Sequence, residues 1–523
     1  MTLSARFATA GIRSRYGPGF VLGAAIVIRC VLSAHMIDRP GLNADETMFV
    51  NAATLRIPGW WIGHQVLGIP LNIWAYVGAL KSWLYAPIFS LFGTSAATVR
   101  IPMVLVASGS LLLLYSAVRD LVNRPVALLA VVLLAFDQSV FWYTRNDVGP
   151  SALEFALKCA ALYCLARFCA DRRERWVVLA LVALGAGVFN KLNFIWFVNA
   201  ASAISLFVAI RHRATINAWR RIAVVWFAGL ALITVAFGAY YVHYHIGDIM
   251  LYGRHVGSFS LRWSQFTRGN SYILSGSFFY YYALASMGPR PLVAAVMVAL
   301  FCAGAVASIV RWSGRSQAVA GMTAGTVLIA LQCLFTYQAQ DGWHYLAIYP
   351  LFMVVAAYGV YAIALALLRG PGRVLAAAAI VGTAALVYDG LLFADYTRAL
   401  SEEPGFSTWS PAVYPLTRYL EHQPGTVFTT DWGIANPLLT LSPSTRYRDV
   451  ANDWYATQSP ATLIRTEVAQ STGPKLFVTR VTGKLLFKQV RARLLSGGGA
   501  RLSLIKTIDG LQGVPVFEIY RWR

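Results

Sequence analysis

Across 523 residues the chain is 58% hydrophobic and only 13% charged, with a mean hydropathy of +0.57. That composition excludes a soluble globule of this size, which would lack the polar surface to cover its core, and makes the chain a multi-pass membrane protein. The formal charge of +22 does not signal nucleic acid, because the basic residues fall mainly in short loops between apolar runs, where they orient helices and meet anionic headgroups. Cys30, Cys159, Cys164, Cys169, Cys302 and Cys333 all lie within apolar segments without the paired spacing of a zinc site, so no disulfide framework is implied.

The first apolar run, Pro18 to Ile37, follows Arg6, Arg13 and Arg15. It reads as a retained anchor with a cytoplasmic N-terminus, since it is long for a signal peptide and no small-x-small site follows. The adjacent acids Asp45 and Glu46 in GLNADETMF then emerge on the outer face. Two readings fit them: a loop or helix N-terminus stabilised by negative charge, or a carboxylate pair that holds a metal or takes a proton from an acceptor hydroxyl. Val66 to Phe92 is apolar for long enough to span, but a single crossing would invert every later basic loop. It is expected in the interface or re-entering as amphipathic helices, with Trp60, Trp61, Trp74, Trp83 and Tyr85 at headgroup depth and Lys81 snorkelling.

Further spans are expected at Val99 to Val118, Pro125 to Trp142, Ser151 to Ala170, Trp176 to Phe189, Phe194 to Ile210, Ile222 to Val242, Pro291 to Val310, Ala318 to Thr336, Tyr345 to Leu368 and Val374 to Phe393. Arginine-rich turns alternate along them, giving about eleven crossings and an outer C-terminus. The fold class is thus mainly α: a polytopic transmembrane bundle over residues 1–393 with interfacial helices in the first outer loop. Residues 394–523, about 130 in all, form a small extracytoplasmic α/β domain. Its strands are expected at Thr426 to Thr430, Lys475 to Val481, Ser503 to Ile508 and Val514 to Tyr520, and its helices at Pro411 to Glu421, Pro460 to Ala469 and Lys484 to Leu495.

Polar residues at the outer span ends carry any chemistry. Arg145, Asp147 and the deeper Glu154 cluster in and after TRNDVGP. Arg145 and Asp147 read either as a local ion pair fixing the turn or as a functional pair. In the second reading Asp147 faces Asp45 across a cavity and Arg145 orients a carboxylate or phosphate. Lys191 in FNKLNF either snorkels or meets a lipid phosphate. The loop from His243 to Pro289 holds His243, His245, Arg254, His255, Arg262 and Arg268 against one acid, Asp248, which suits a phosphate or, equally, attraction to headgroups. Its histidines, with Glu46, are weak candidates for a divalent metal, and HYH alone does not define a site. His344 and Tyr345 open a late span, where such residues also serve as interface anchors. No Walker A loop, no GxGxxG after a strand and no soluble cytoplasmic domain is present to hold a nucleotide.

In this order and on this common side, the acid pair Asp45-Glu46, LFGTSAATVRIP (Leu91 to Pro102), TRNDVGP, FNKLNF, HYLAIYP (His344 to Pro350) and TTDWGIANPL (Thr429 to Leu438) give the chain its resemblance to a known family. It resembles the GT-C superfamily of integral-membrane glycosyltransferases, particularly the branch of protein O-mannosyltransferases and the lipid A aminoarabinose transferase. One departure is GIPLNIW (Gly68 to Trp74), where many members carry a two-proline turn near KPPL. The resemblance implies a hexosyl- or pentosyltransferase of the cell envelope, multi-pass in the inner membrane. It would move a sugar from a polyprenyl-phosphate donor, with inversion, to a lipid, glycan or protein acceptor on the outer side. Asp45 would be the general base, with Glu46 second and Asp147 assisting. Lys191, Arg254, Arg262, Arg145 and Tyr345 would face the donor phosphate, with or without a divalent ion. The alternative from another class is a transporter or flippase of lipid-linked saccharides, but the related halves and interrupted helices common in transporters are not evident.

Overall fold

The computed structural model describes residues 3–56, 64–74, 76–211, 220–253, 258–284, 288–311, 314–336, 342–403, 405, 408–451, 468, 470–471, 473–482, 485, 488–498 and 501–523. Each of the eleven apolar runs is largely helical: α1 (Leu3–Ala34), α4 (Ala96–Leu121), α5 (Arg124–Phe136) bent into α6 (Gln138–Arg145), α7 (Ser151–Asp171), α8 (Glu174–Asn190), α9 (Ile195–Arg211), α10 (Arg220–Gly253), α13 (Pro291–Val310), α14 (Gly314–Phe335), α15 (Leu351–Leu367) and α16 (Pro371–Glu402). Among the described residues six helices are long and apolar enough to cross a membrane, and seven if α5 and α6, bent by 58°, make one span. The others fall short for visible reasons. Helices α9 and α15 are 17-residue apolar pieces, α8 is also 17 residues long, and α7 carries Glu154 and Lys158 on its buried side.

The bend follows from local chemistry. Asp137 accepts a hydrogen bond from the Val140 amide at 2.8 Å, capping α6 and ending α5 one residue earlier. Helix α15 is the centre of the bundle, buried nearly all round by α5, α13, α14 and α16. Its contact with α13 depends on two glycines: a Cβ on Gly304 would lie 2.1 Å from the Val355 carbonyl oxygen, and one on Gly359 2.0 Å from that of Leu300. Small residues let the backbones meet, the usual means of packing helices in lipid. Leu232, Leu292, Ile380 and Leu391 on the outer helices α10, α13 and α16 are exposed, as lipid-facing positions are.

The segment Val66 to Phe92 departs from expectation. Instead of amphipathic helices throughout, its first half forms an antiparallel meander of β1 (His64–Val66), β2 (Ile69–Trp74) and β3 (Val77–Gly78), and only α3 (Leu80–Phe92) is helical. Leu67 and Gly68 both have positive φ, 51° and 79°, the geometry of a two-residue hairpin turn. Tyr85 is not an interface anchor, since it is fully buried with its hydroxyl on the Val99 carbonyl. Trp83 is 40% exposed and donates to the Pro70 carbonyl at 2.8 Å. Trp60, Trp61 and the Trp74 side chain lie outside the description.

Helix α16 runs continuously across residue 394, and a three-layer α/β unit follows. Its sheet has the order β5-β4-β6-β8-β7, with β4 (Thr426–Thr429), β5 (Arg446–Asp449) and β6 (Lys475–Arg480) parallel, and β7 (Leu502–Asp509) and β8 (Pro515–Trp522) antiparallel. Strand alternation sorts two cores. Val427, Leu476, Val478 and Ile519 pack under α17 (Val413–Glu421) and α18 (Ala435–Leu441), while Phe428 and Phe477 pack with Val490 and Leu494 of α19 (Lys488–Gly498). Strand β5, with its sequence RYRD, and α18 had no signal in the hydropathy pattern; Pro460 to Ala469 lies largely outside the described residues. Helix α18 docks on α2 (Ala44–Ala53), the helix of the acid pair. There the Asn51 amide donates to the Asn436 carbonyl, and Thr440 donates to Asn51 Oδ1, both at 2.9 Å.

Candidate active site

The acid pair opens α2 through a capping box. Asn43 Oδ1 accepts from the Asp45 amide at 2.6 Å, and Glu46 Oε1 accepts from the Asn43 amide at 3.3 Å. The two acids then diverge. Glu46 is fully buried and held by Arg100 of α4, whose Nε donates to Oε2 at 2.6 Å and whose Nη2 donates to Oε1 at 2.7 Å. The same guanidinium reaches the Ile37, Arg39 and Gly41 carbonyls, so Glu46 and Arg100 together fix the loop that precedes the acids. Asp45, one residue earlier on the helix, is only partly buried and faces Lys191 electrostatically.

The turn between α6 and α7 supplies the second carboxylate. Arg145 is completely buried and donates to the carbonyls of Ser33, His35, Met36 and Arg39 and to Asn146 Oδ1. It therefore clamps the end of α1 rather than presenting itself to a phosphate, since its donors are taken by protein oxygens. Asp147 sits at φ 44°, a left-handed conformation uncommon outside glycine, and its Oδ1 accepts from the Ala152 amide at 2.7 Å. Its partner is not Arg145. Lys81 Nζ lies 2.5 Å from Asp147 Oδ2, both side chains are almost wholly buried, and the ammonium also lies 4.3 Å from the Phe49 ring centroid. The snorkelling expected of Lys81 is thus overturned: an inward carboxylate compensates its charge at less cost than reaching for the surface.

Lys191 completes the constellation. Its backbone bridges to Val77, the Leu192 amide donates to the Tyr76 carbonyl at 2.9 Å, and its Nζ lies 3.5 Å from where a Cβ on Gly149 would stand. The meander, the Asp147 turn and the loop between α8 and α9 thereby share one small volume. Lys191 is 3% exposed, so it does not snorkel. Burial pulls its ammonium below the ordinary lysine range, opposed by Glu154 and then Asp45. Behind it, Lys158 donates to Glu154 at 2.8 Å and to the Ala347 carbonyl at 3.1 Å. The sequence offers Lys81 only as a snorkelling lysine and Arg100 only within LFGTSAATVRIP, and Lys158 carries no motif at all. Each is a charge set in an apolar run, the signal that marks intramembrane function by default.

The remaining candidates are more dispersed. Tyr345 is buried in the 3-10 turn Gly342–Ile348, its ring against Gly269 of α11 (Phe259–Leu274) and at 5.5 Å from the Phe266 ring. Arg262 lies two turns before Gly269 on the same face of α11. Arg254, His255 and the His245 side chain fall outside the described residues, and His243 is exposed on α10. Among the described residues no group of three His, Cys, Asp or Glu is arranged to hold a metal ion, and both Glu46 oxygens are taken by Arg100.

A family model described as dolichyl-phosphate-mannose-protein mannosyltransferase matches residues 78–241, the stretch that carries Lys81, Arg100, Asp147, Glu154 and Lys191. The fold is similar to that of ArnT from Cupriavidus metallidurans, with a TM-score of 0.61 in the apo state and 0.58 with undecaprenyl phosphate bound. That likeness covers 97% of this chain and 98% of ArnT at 11% identity. It is also similar to the archaeal oligosaccharyltransferase AglB from Archaeoglobus fulgidus, solved with an inhibitory peptide and a dolichol-phosphate. There the TM-score is 0.54 and the identity 14%, over 89% of this chain and 70% of that one. No curated protein matches the sequence. These findings show a fold similar to those of ArnT and AglB, with the family match confined to residues 78–241.

Proposed function

We propose that the protein moves a hexosyl or pentosyl unit from a polyprenyl-phosphate donor to an acceptor hydroxyl at the extracytoplasmic face of the inner membrane, with inversion. The observation that carries this reading is the convergence of Asp45, the Lys81-held Asp147 and the buried Lys191 at one end of the helices. The likeness to ArnT, solved with undecaprenyl phosphate, supports a lipid-borne donor.

In the proposed step the acceptor oxygen bonds to the anomeric carbon and gives its proton to Asp45. The bond from that carbon to the phosphate oxygen breaks, and its electron pair leaves on the polyprenyl phosphate. A positioned base contributes about 10²–10⁴-fold. Lys191 faces the departing negative charge, which in a water-poor site needs a fixed cation. Glu46 acts as a positioning residue through Arg100 and the cap, and Lys81 holds Asp147 in place. Arg262 and Tyr345 extend the donor side along α11 and the late turn. The test is release of polyprenyl phosphate coupled to transfer of labelled sugar by the purified protein, and its loss in Asp45→Asn.

A further inference from the structure

The loop that leads into the acid helix is gripped from two directions. From the bundle, Arg100 and Arg145 donate to its carbonyls, both of them reaching that of Arg39. From the α/β unit, the Tyr414 hydroxyl of α17 donates to the Asp38 carbonyl at 3.0 Å. Gly41 runs so close to the chain before α17 that a Cβ there would stand 1.9 Å from the Ser410 carbonyl oxygen. The two grips meet in Asn43, whose own amide donates to the Arg100-held Glu46. Its Oδ1 caps α2 by accepting from the Asp45 amide at 2.6 Å, and its Nδ2 donates to the Thr408 hydroxyl oxygen, also at 2.6 Å. One buried carboxamide thus ties the backbone of Asp45 to the connection between α16 and α17. Thr408 is itself held by the sheet. The turn after β4 passes over it at Gly433, where φ is 79° and a Cβ would lie 2.3 Å from Thr408 Cγ2 and 3.5 Å from Ala44 Cβ.

We infer that Asn43 and Thr408 are positioning residues for Asp45, so that the C-terminal α/β unit sets the aim of the base as well as covering the bundle. The inference rests on the function proposed above. A helix cap is ordinarily a local device, one side-chain oxygen on the amides of the first turn. Of the usual capping residues, asparagine alone offers a separate donor beside the capping oxygen, and here that donor is spent on a residue of the distant unit. Because the cap fixes the first turn of α2, a shift of Thr408 moves Asp45 relative to the atoms that react. A misplacement of about 1 Å is enough to cost roughly 10²-fold in rate.

The experiment uses the full chain in nanodiscs. Affinity is read with undecaprenyl phosphate, and transfer with undecaprenyl phosphate bearing a labelled hexose or pentose, whichever the unaltered protein turns over, with membrane extract supplying the acceptor. Amide hydrogen exchange across residues 42–53 reports the hold on the acid helix. Thr408→Val keeps the methyl group under Gly433 and removes the hydroxyl; Thr408→Ser does the reverse. Thr408→Val should lower transfer by roughly 10–100-fold and speed exchange in residues 42–53, with undecaprenyl phosphate bound as before, whereas Thr408→Ser should transfer normally. A packing role reverses that order and would overturn the inference. Asn43→Ser keeps a capping oxygen but not the amide donor, so it should match Thr408→Val. The double variant Asn43→Ser/Thr408→Val should be no worse than either single one, since both remove the same bond. Should Thr408→Val fail to fold, Asn43→Ser carries the test, because it leaves no buried amide unpaired. Normal transfer by folded Thr408→Val or Asn43→Ser protein would overturn the inference, as would additive losses in the double variant. Failure of the unaltered protein to transfer any hexose or pentose is a separate result, which overturns the proposed function and this inference with it.

Discussion

Two neighbouring acids have different surroundings. Glu46 has both oxygens on Arg100 and no exposed surface, whereas Asp45 is partly open toward Lys191. Removing one member of a buried ion pair leaves the other uncompensated, so Arg100→Met should cost about 3–5 kcal/mol of stability. Thermal unfolding of the purified variant measures this, and an unshifted transition would show that the clamp is dispensable. Lys191 sets a pH limit. Burial holds its ammonium below the ordinary lysine range, so it loses its proton at a lower pH than a solvated lysine. Affinity for undecaprenyl phosphate should therefore be full below that value and fall as pH rises through it. Lys191→Arg, which keeps its charge, should hold affinity further into the alkaline range. Parallel binding curves for the two proteins would argue against a phosphate role for Lys191.

At the scale of elements, the site is assembled by loops that one short meander joins together. Gly78 ends it so close to α8 that a Cβ there would stand 1.8 Å from the Phe189 carbonyl oxygen. Gly78→Val must therefore push β3 off the loop that carries Lys191, and donor binding should fall while the C-terminal sheet stays folded. Retained binding would mean the meander does not shape the site. Much of this was legible in the sequence. Apolar runs mark every long helix, and the strands β4, β6, β7 and β8 stand out as runs of β-branched and aromatic residues. Asp45, Asp147, Glu154 and Lys191 stand out because charges are rare at span ends. What escaped was partnership. Nothing in the order of residues pairs Lys81 with Asp147 or Arg100 with Glu46, because both pairings are made across the bundle. The meander was missed because its apolar length imitates a helix, and Leu67-Gly68 makes only the first of its two reversals.

For the whole molecule, the α/β unit after α16 is tied to the acid helix by the Asn51, Asn436 and Thr440 hydrogen bonds, so both belong on one side of the membrane. The arginine-rich turns predict that side to be extracytoplasmic. A reporter that works only after export should be active when fused after Arg523; activity confined to the cytoplasm would reverse the orientation. Whether Asp45 is the base in sugar transfer is decided by turnover of a labelled polyprenyl-phosphate sugar by purified Asp45→Asn protein. Asparagine keeps the size and polarity but not the basicity. Transfer should fall by about 10²–10⁴ with undecaprenyl phosphate affinity retained, whereas undiminished transfer by a folded, donor-binding Asp45→Asn protein would show that Asp45 is not the base.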